Sequence, residues 1–340
     1  MRSKIPALAV LATIAVTLTS CSSISTTIKH VKSQQVVTNV LSGREGENGK
    51  VLVVKIDDTT MAHPQIGLEE ADVVYIEQVE GGLTRLAAVF SSRIPTEIGP
   101  VRSARISDIE ILSQYGRVAF AYSGAQKKLL PVIAAANLEN LGAQAQPPTI
   151  YTRDPSRVNP YSMVLRADLL MAKIIEKSYV VDIAKSVGWS FGKAPTDGVD
   201  TTSVTMHWPA ARYRAEWSSK DSCWLLFHNS TPDVVRTGKQ LCPTTLVIQL
   251  VSITDSEYHD KVGGVTPFSR TVGTGTGFIL RNGQSFAGTW LRNSADLGTT
   301  WTDAHGVPIG FAPGQVWVAL TDTTPQFTRP TPQASSSATK

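Results

Sequence analysis

Four short runs dense in Val, Ile and aromatic residues, VLVVKID (51–57), ADVVYIE (71–77), TRLAAVF (84–90) and RVAFAYS (117–123), set the strongest limit on how this chain can fold. Each is seven residues long, short for a buried helix and rich in residues that suit a pleated surface, so each reads as a strand. Their near-continuous apolar character implies that both faces are covered. Helical spacing falls between and after them. Ile106, Ile109, Leu112 and Tyr115 form one apolar stripe, Leu129, Leu130, Ile133 and Ala134 a second, and Leu169, Leu170, Ile174 and Ile175 a third. The pattern predicts an α/β N-terminal domain with a mixed sheet over residues 49–190.

The character of the chain changes after the turn-rich join GWSFGKAPTDGVDTT. Beyond it SVTMHW, ARYRAEW, CWLLF, TLVIQLVSI, GFILRNG, SFAGTWL and VWVAL alternate with turns, and Asn282-Gly283 is a strong hairpin signal. Residues 203–322 are therefore expected to form a smaller, mostly antiparallel β domain. The Gly273 to Gly277 repeat GTGTG lacks the lysine and following helix of a phosphate loop and reads as part of a hairpin.

The ends of the chain give an address. MRSKIPALAVLATIAVTLTSC places Arg2 and Lys4 before an apolar run and ends in a Leu-Thr-Ser-Cys sequence like that which directs lipid attachment to cysteine in exported bacterial proteins. Residues 1–20 are expected to be a lipoprotein signal peptide, Cys21 the lipidated residue, 21–48 a flexible tether and 323–340 a disordered tail. No later run approaches the roughly 20 apolar residues of a membrane helix. This places a soluble body on the extracytoplasmic face of the cell membrane, held by acyl chains on Cys21. Cys223 and Cys242 then remain, and an oxidising envelope favours a disulfide between them over two buried thiols.

Composition excludes some partners. The formal charge is +4, and loss of Arg2 and Lys4 with the signal peptide reduces it to +2, too weak a bias for nucleic-acid binding. No cofactor motif is present and no metal site is expected: His63 lies near Asp57 and Asp58, but such a trio is a common accident, and His207 and His228 lack partners at ligand spacing.

The chemistry concentrates in VEGGLTRLAAVFSSRIPTEIGPVRSAR (79–105), where Arg85, Arg102 and Arg105 accompany Gly81-Gly82. Ser103 is the expected N-cap of the helix that begins near Ile106, with Arg102 before it and Arg105 in its first turn. Cations at a helix start oppose the macrodipole and call for an anion, from protein carboxylates or from a ligand. The expected ligand-binding set is Arg85, Arg102, Arg105, Asp57, Asp58 and Glu80. Asp57, Asp58, Glu77 and Glu80 all lie near strand ends, where a carboxylate could also serve as acid or base.

The stretch VVKIDDTTMAHPQIGLEEADVVYIEQVEGGLTRLAAVFSSRIPTEIGPVRSAR resembles the hallmark of the YerB-like lipoproteins, a bacterial family of unknown function, departing from its usual pattern at Asp58 and His63. GTGTGFILRNGQSFAGTWLR and HGVPIGFAPGQVWVAL resemble the family's C-terminal domain more loosely, so the likeness extends over nearly all of the folded chain. It implies a two-domain envelope lipoprotein and carries over no catalytic residue. The expected function is binding of an anionic or polyhydroxylated envelope ligand, such as a cell-wall glycan or its phosphate-bearing polymer. A carboxylate-dependent hydrolase of such a polymer and a scaffold for envelope enzymes are the alternatives, and no motif identifies an enzyme.

The Cys21→Ala variant is expected to leave the membrane fraction or persist as uncleaved precursor. Wild-type fractionation and gel mobility of that variant would refute the anchor.

Overall fold

The computed structural model describes residues 36–331; the signal peptide, Cys21, most of the expected tether and residues 332–340 lie outside them. At its centre, β3 (Thr84–Phe90) pairs antiparallel with β1 (Leu52–Asp57) on one side and β2 (Val73–Gln78) on the other. The strand Val118–Ala121 adds parallel to β1, and Leu138–Asn140 adds parallel to that strand. On the far side Val316–Thr321 pairs parallel with β2, in register from Val73 opposite Val316 to Ile76 opposite Ala319. Thr245–Leu250, Gly273–Arg281, Gln284–Arg292 and Thr300–Thr302 follow, and Val199–Asp200, paired with Gln284–Arg292, completes an 11-stranded mixed sheet. Val37 onward forms one compact unit.

A second, five-stranded antiparallel sheet contains Ser203–Trp208, Ala211–Ser218 and Cys223–His228. Its edge strand Gln326–Thr328 comes from the stretch expected to be a disordered tail, and it pairs with Ser203–Thr205. At the other end, Asn39, Leu41 and Ser42 of the expected tether are buried.

The two faces of β1 to β3 are covered differently. Leu52, Val54, Ile56, Val74, Ile76, Leu86 and Ala88 share a core with Val204, Met206, Trp208, Tyr213 and Trp224 of the second sheet. Val51, Val53, Val73, Ala87 and Val89 face the other way, into a core with Ile111, Leu112 and Ile133. Those last three belong to the helices α1 (Ile106–Ser113) and α2 (Leu130–Ala135).

This arrangement corrects the expected α/β N-terminal domain: the described chain is mostly β. The apolar runs are buried on both faces, but on one face a second β-sheet does much of the covering. Even α1, α2 and α3 (Ala167–Glu176) are only 8, 6 and 10 residues long. The expected turn at Asn282-Gly283 is present, with φ of 53° and 74° joining two directly paired strands, as a two-residue hairpin requires. Among the described residues no helix is long and apolar enough to cross a membrane.

Cys223 and Cys242 are joined by a disulfide with Cα atoms 5.3 Å apart, closing 19 residues of sequence separation. A loop of that size stabilises the fold by about 3 kcal/mol in the chain-entropy description. Replacing both cysteines with Ser is expected to lower the free energy of urea unfolding by about that amount. An unchanged urea midpoint, or two alkylatable thiols in the unreduced protein, would contradict it.

Candidate functional site

The alternation of a strand decides where each charged group goes. Lys55 and Asp57 on β1, Glu77 on β2 and Arg85 on β3 continue the rows that carry Val53, Tyr75 and Ala87, and so point towards α1. Register places both Asp57 and Glu77 directly opposite Arg85. Asp58, one residue on, turns to the opposite face, where it accepts hydrogen bonds from Thr84 Oγ1 at 2.5 Å and Tyr213 Oη at 2.6 Å.

The loop that carries the remaining arginines is stitched to β1 and to the end of Val118–Ala121. Arg102 N donates to Lys55 O at 2.8 Å, Ser123 N donates to Arg102 O at 2.9 Å, and Ala104 N donates to Gly124 O at 2.9 Å. Arg102 Nε thereby comes within 2.6 Å of Asp57 Oδ2, while Arg85 Nη1 lies 3.6 Å from Asp57 Oδ1. Arg105 Nε and Nη2 donate to Glu80 Oε2 at 2.9 and 2.7 Å, and Thr266 Oγ1 donates to the other oxygen of that carboxylate.

The N-cap of α1 is Arg105, not the expected Ser103. The anion that the helix start demands is supplied within the chain: Asp108 Oδ2 accepts the Arg105 N–H at 2.7 Å. Asp108 Oδ1 also accepts from Lys55 Nζ at 2.8 Å, and Glu77 completes that pair of carboxylates around the amine. Lys55, Arg85, Arg102 and Arg105 thus balance Asp57, Glu77, Glu80 and Asp108 in one network.

Burial sets the chemistry of its members. It pushes the Lys55 amine down to about 8, against the opposing charge and hydrogen bond of Asp108. It also lowers Arg85, with Asp57 opposing. For Glu80, burial pushes upward, but the bond and charge of Arg105 outweigh it and hold the carboxyl below its usual value. Arg102 is the open member. Its side chain is 24% exposed against 6% for Arg85 and 15% for Arg105, and the Tyr161 ring centre lies 5.9 Å from its guanidinium carbon. The ion pair with Asp57 is made through Nε and leaves the terminal amino groups of the fork for a second acceptor. Nearby in sequence, Gly81 adopts φ of 68°, a left-handed conformation that glycine tolerates, and faces open space.

Sequence reasoning brought Arg85, Arg102, Arg105, Asp57 and Glu80 together as the structure does, but placed Asp58 with them although it faces away. Lys55 and Asp108 escaped it, because a lysine inside VLVVKID and an acid inside a helical stripe carry no signal of pairing until the helix is docked.

Family models match both halves of the chain: protein of unknown function (DUF3048), N-terminal domain, over residues 37–180 and its C-terminal domain over 204–318. A Bacillus subtilis (strain 168) protein, YerB, described as a candidate lipoprotein, is 44% identical over 54 residues, a stretch that spans 16% of either chain. The crystal structure of YerB protein from Bacillus subtilis superposes with a TM-score of 0.75 at 18% identity, covering 86% of this chain and all of that one. At that identity the likeness speaks for the fold alone.

The Lys55→Met variant is expected to lose about 3–5 kcal/mol of unfolding free energy, because two buried carboxylates are left without their cation. Equilibrium urea unfolding measures it. A loss below 1 kcal/mol would show that the carboxylates find other partners.

Proposed function

The chain belongs to the YerB-like family, and from that membership we propose that it is a lipid-anchored protein of the extracytoplasmic membrane face that binds an anionic envelope polymer at Arg102. The observation that carries this reading is the half-engaged guanidinium of Arg102: its Nε is paired with the buried Asp57, yet its side chain stays 24% exposed and lies near the Tyr161 ring. A planar fork held in place loses little conformational freedom on gripping a phosphate or carboxylate oxygen, and the neighbouring aromatic suits the apolar face of a sugar ring. A cell-wall glycan with its phosphate-bearing polymer supplies both chemistries. Arg85 and Arg105 support the site from behind rather than contacting the ligand, since Arg85 is buried and Arg105 is engaged by Glu80. The Arg105 guanidinium holds the Glu80 carboxyl below its ordinary value despite burial, the reverse of what a general acid at neutral pH needs, so the binding reading is favoured over hydrolysis.

Soluble cell-wall fragments titrated against the full-length protein provide the test. Arg102→Gln is expected to weaken binding about tenfold, the loss of one charge-assisted hydrogen bond, with a melting temperature close to wild type. Arg105→Gln is expected to lower stability instead, by unpairing Glu80. Wild-type protein that shows no saturable binding, or an Arg102→Gln variant that binds as well as wild type, would sink the reading.

A further inference from the structure

On the opposite face of β1 from the arginine network, three side chains from distant parts of the sequence converge. Asp58 follows β1, His63 lies in the loop after it, and His228 ends the strand Cys223–His228 of the second sheet. One potential ligand atom from each lies within 4.8 Å of the other two. We propose that Asp58, His63 and His228 bind a divalent transition metal ion of the zinc class.

The distances favour ligands over hydrogen-bond partners. His63 Nε2 is 3.5 Å from Asp58 Oδ1, beyond the range of an ordinary N–H to O hydrogen bond. Two ligands on one tetrahedral zinc, with bonds of about 2.0–2.1 Å, stand roughly 3.4 Å apart. The two imidazoles are stacked, with ring centres 4.4 Å apart and planes inclined by 15°, so a nitrogen of each lies within reach of Asp58.

Surrounding groups orient two of the three, His63 and Asp58, as a metal site requires. His63 Nδ1 meets Asp233 Oδ1 at 3.1 Å, the kind of outer partner that would leave Nε2, on the Asp58 side, as the ligand atom. Asp58 is itself held by Thr84 and Tyr213. The side-chain amide of Gln65 reaches within 3.2 Å of His63 Nε2, and its oxygen, exchanged with its nitrogen by a half-turn, would face the same point as a fourth ligand.

Charge supplies an independent argument. Asp58 and Asp233 are buried, and Asp233 Oδ2 has no hydrogen-bond partner. Between two neutral imidazoles, a dication cancels both carboxylates. His63 remains 17% exposed, which leaves a path for entry. The residue types, two imidazoles and one carboxylate, match sites for zinc and its neighbours rather than for calcium or magnesium. Such an ion would tie the end of β1 to the strand carrying His228, joining the first half of the chain to the second.

Full-length protein without affinity-tag histidines, stripped with chelator and dialysed against micromolar zinc, is expected to retain one zinc per chain by elemental analysis and to melt several degrees higher than the stripped form. His63→Gln and His228→Gln should each reduce zinc affinity at least tenfold, and Asp233→Asn tenfold to a hundredfold through the orientation of His63. His305→Ala, in an exposed turn, should bind as wild type. Cobalt added to the stripped wild type gives a visible absorption band independently of how any variant folds. Absence of that band, or zinc held equally well by folded His63→Gln, would overturn the site and leave His63 as an imidazolium paired with Asp58 and Asp233.

Discussion

The parallel pairing of β2 with Val316–Thr321 is the contact on which the rest of the architecture depends. It inserts the last long strand of the chain beside one of the first, so neither half closes its sheet alone. Residues 73–76 and 316–319 are separated by more than two hundred positions, and a loop of that length must be closed before the contact is rewarded. The stabilisation that offsets this comes from the shared cores: Trp317 and Ala319 lie in the core against the second sheet, and Val316, Val318 and Leu320 in the core against the helices. Each row buries apolar area on a face already begun by β1, β2 and β3.

The same alternation separates the two polar clusters. Asp57 and Asp58 are neighbours in sequence, yet the first belongs with Arg85 and Arg102, and the second with Tyr213 and His63. No sequence window distinguishes them, because the face an acid takes at a strand end follows from register, and register follows from partners. Length, apolar runs and the Asn282-Gly283 turn were legible because each is a local property. The arginine cluster was partly legible for the same reason, since four of its members fall between Glu80 and Arg105. His228 and Asp233 were not. They stand 165 and 170 positions beyond His63, a spacing that no motif describes, and only the docking of the second sheet brings them within reach.

The expected α/β class failed through an ambiguity in burial itself. A run apolar on both faces states that both are covered but not by what, and a β-sheet serves as well as a layer of helices. Helical stripes were correctly placed at Ile106, Leu130 and Leu169, yet α1 and α2 cross over only to the edge formed by Val118–Ala121 and Leu138–Asn140. The decisive information was the alternation in SVTMHW and ARYRAEW, whose buried residues Val204, Met206, Trp208, Tyr213 and Ala215 had to cover something. Their complement is the face of β1 to β3.

The arginine network shows why an ion-pair cluster can be structural and still expose a site. Burying a charge costs several kcal/mol unless its partners are well placed, and Lys55, Glu77 and Asp108, all shielded from solvent, satisfy that demand inside the protein. Arg105 and Glu80 repeat the solution nearer the surface, with Thr266 fixing the acid. Arg102 takes only part of its demand from Asp57, and its fork is the most exposed of the three arginines. Because Asp57 also faces Arg85, its charge is divided between two cations, and each holds it less completely than a private pair would. An anion arriving at the outer edge of Arg102 would therefore compete with half a partner, and the buried network behind would hold the guanidinium in place without saturating it.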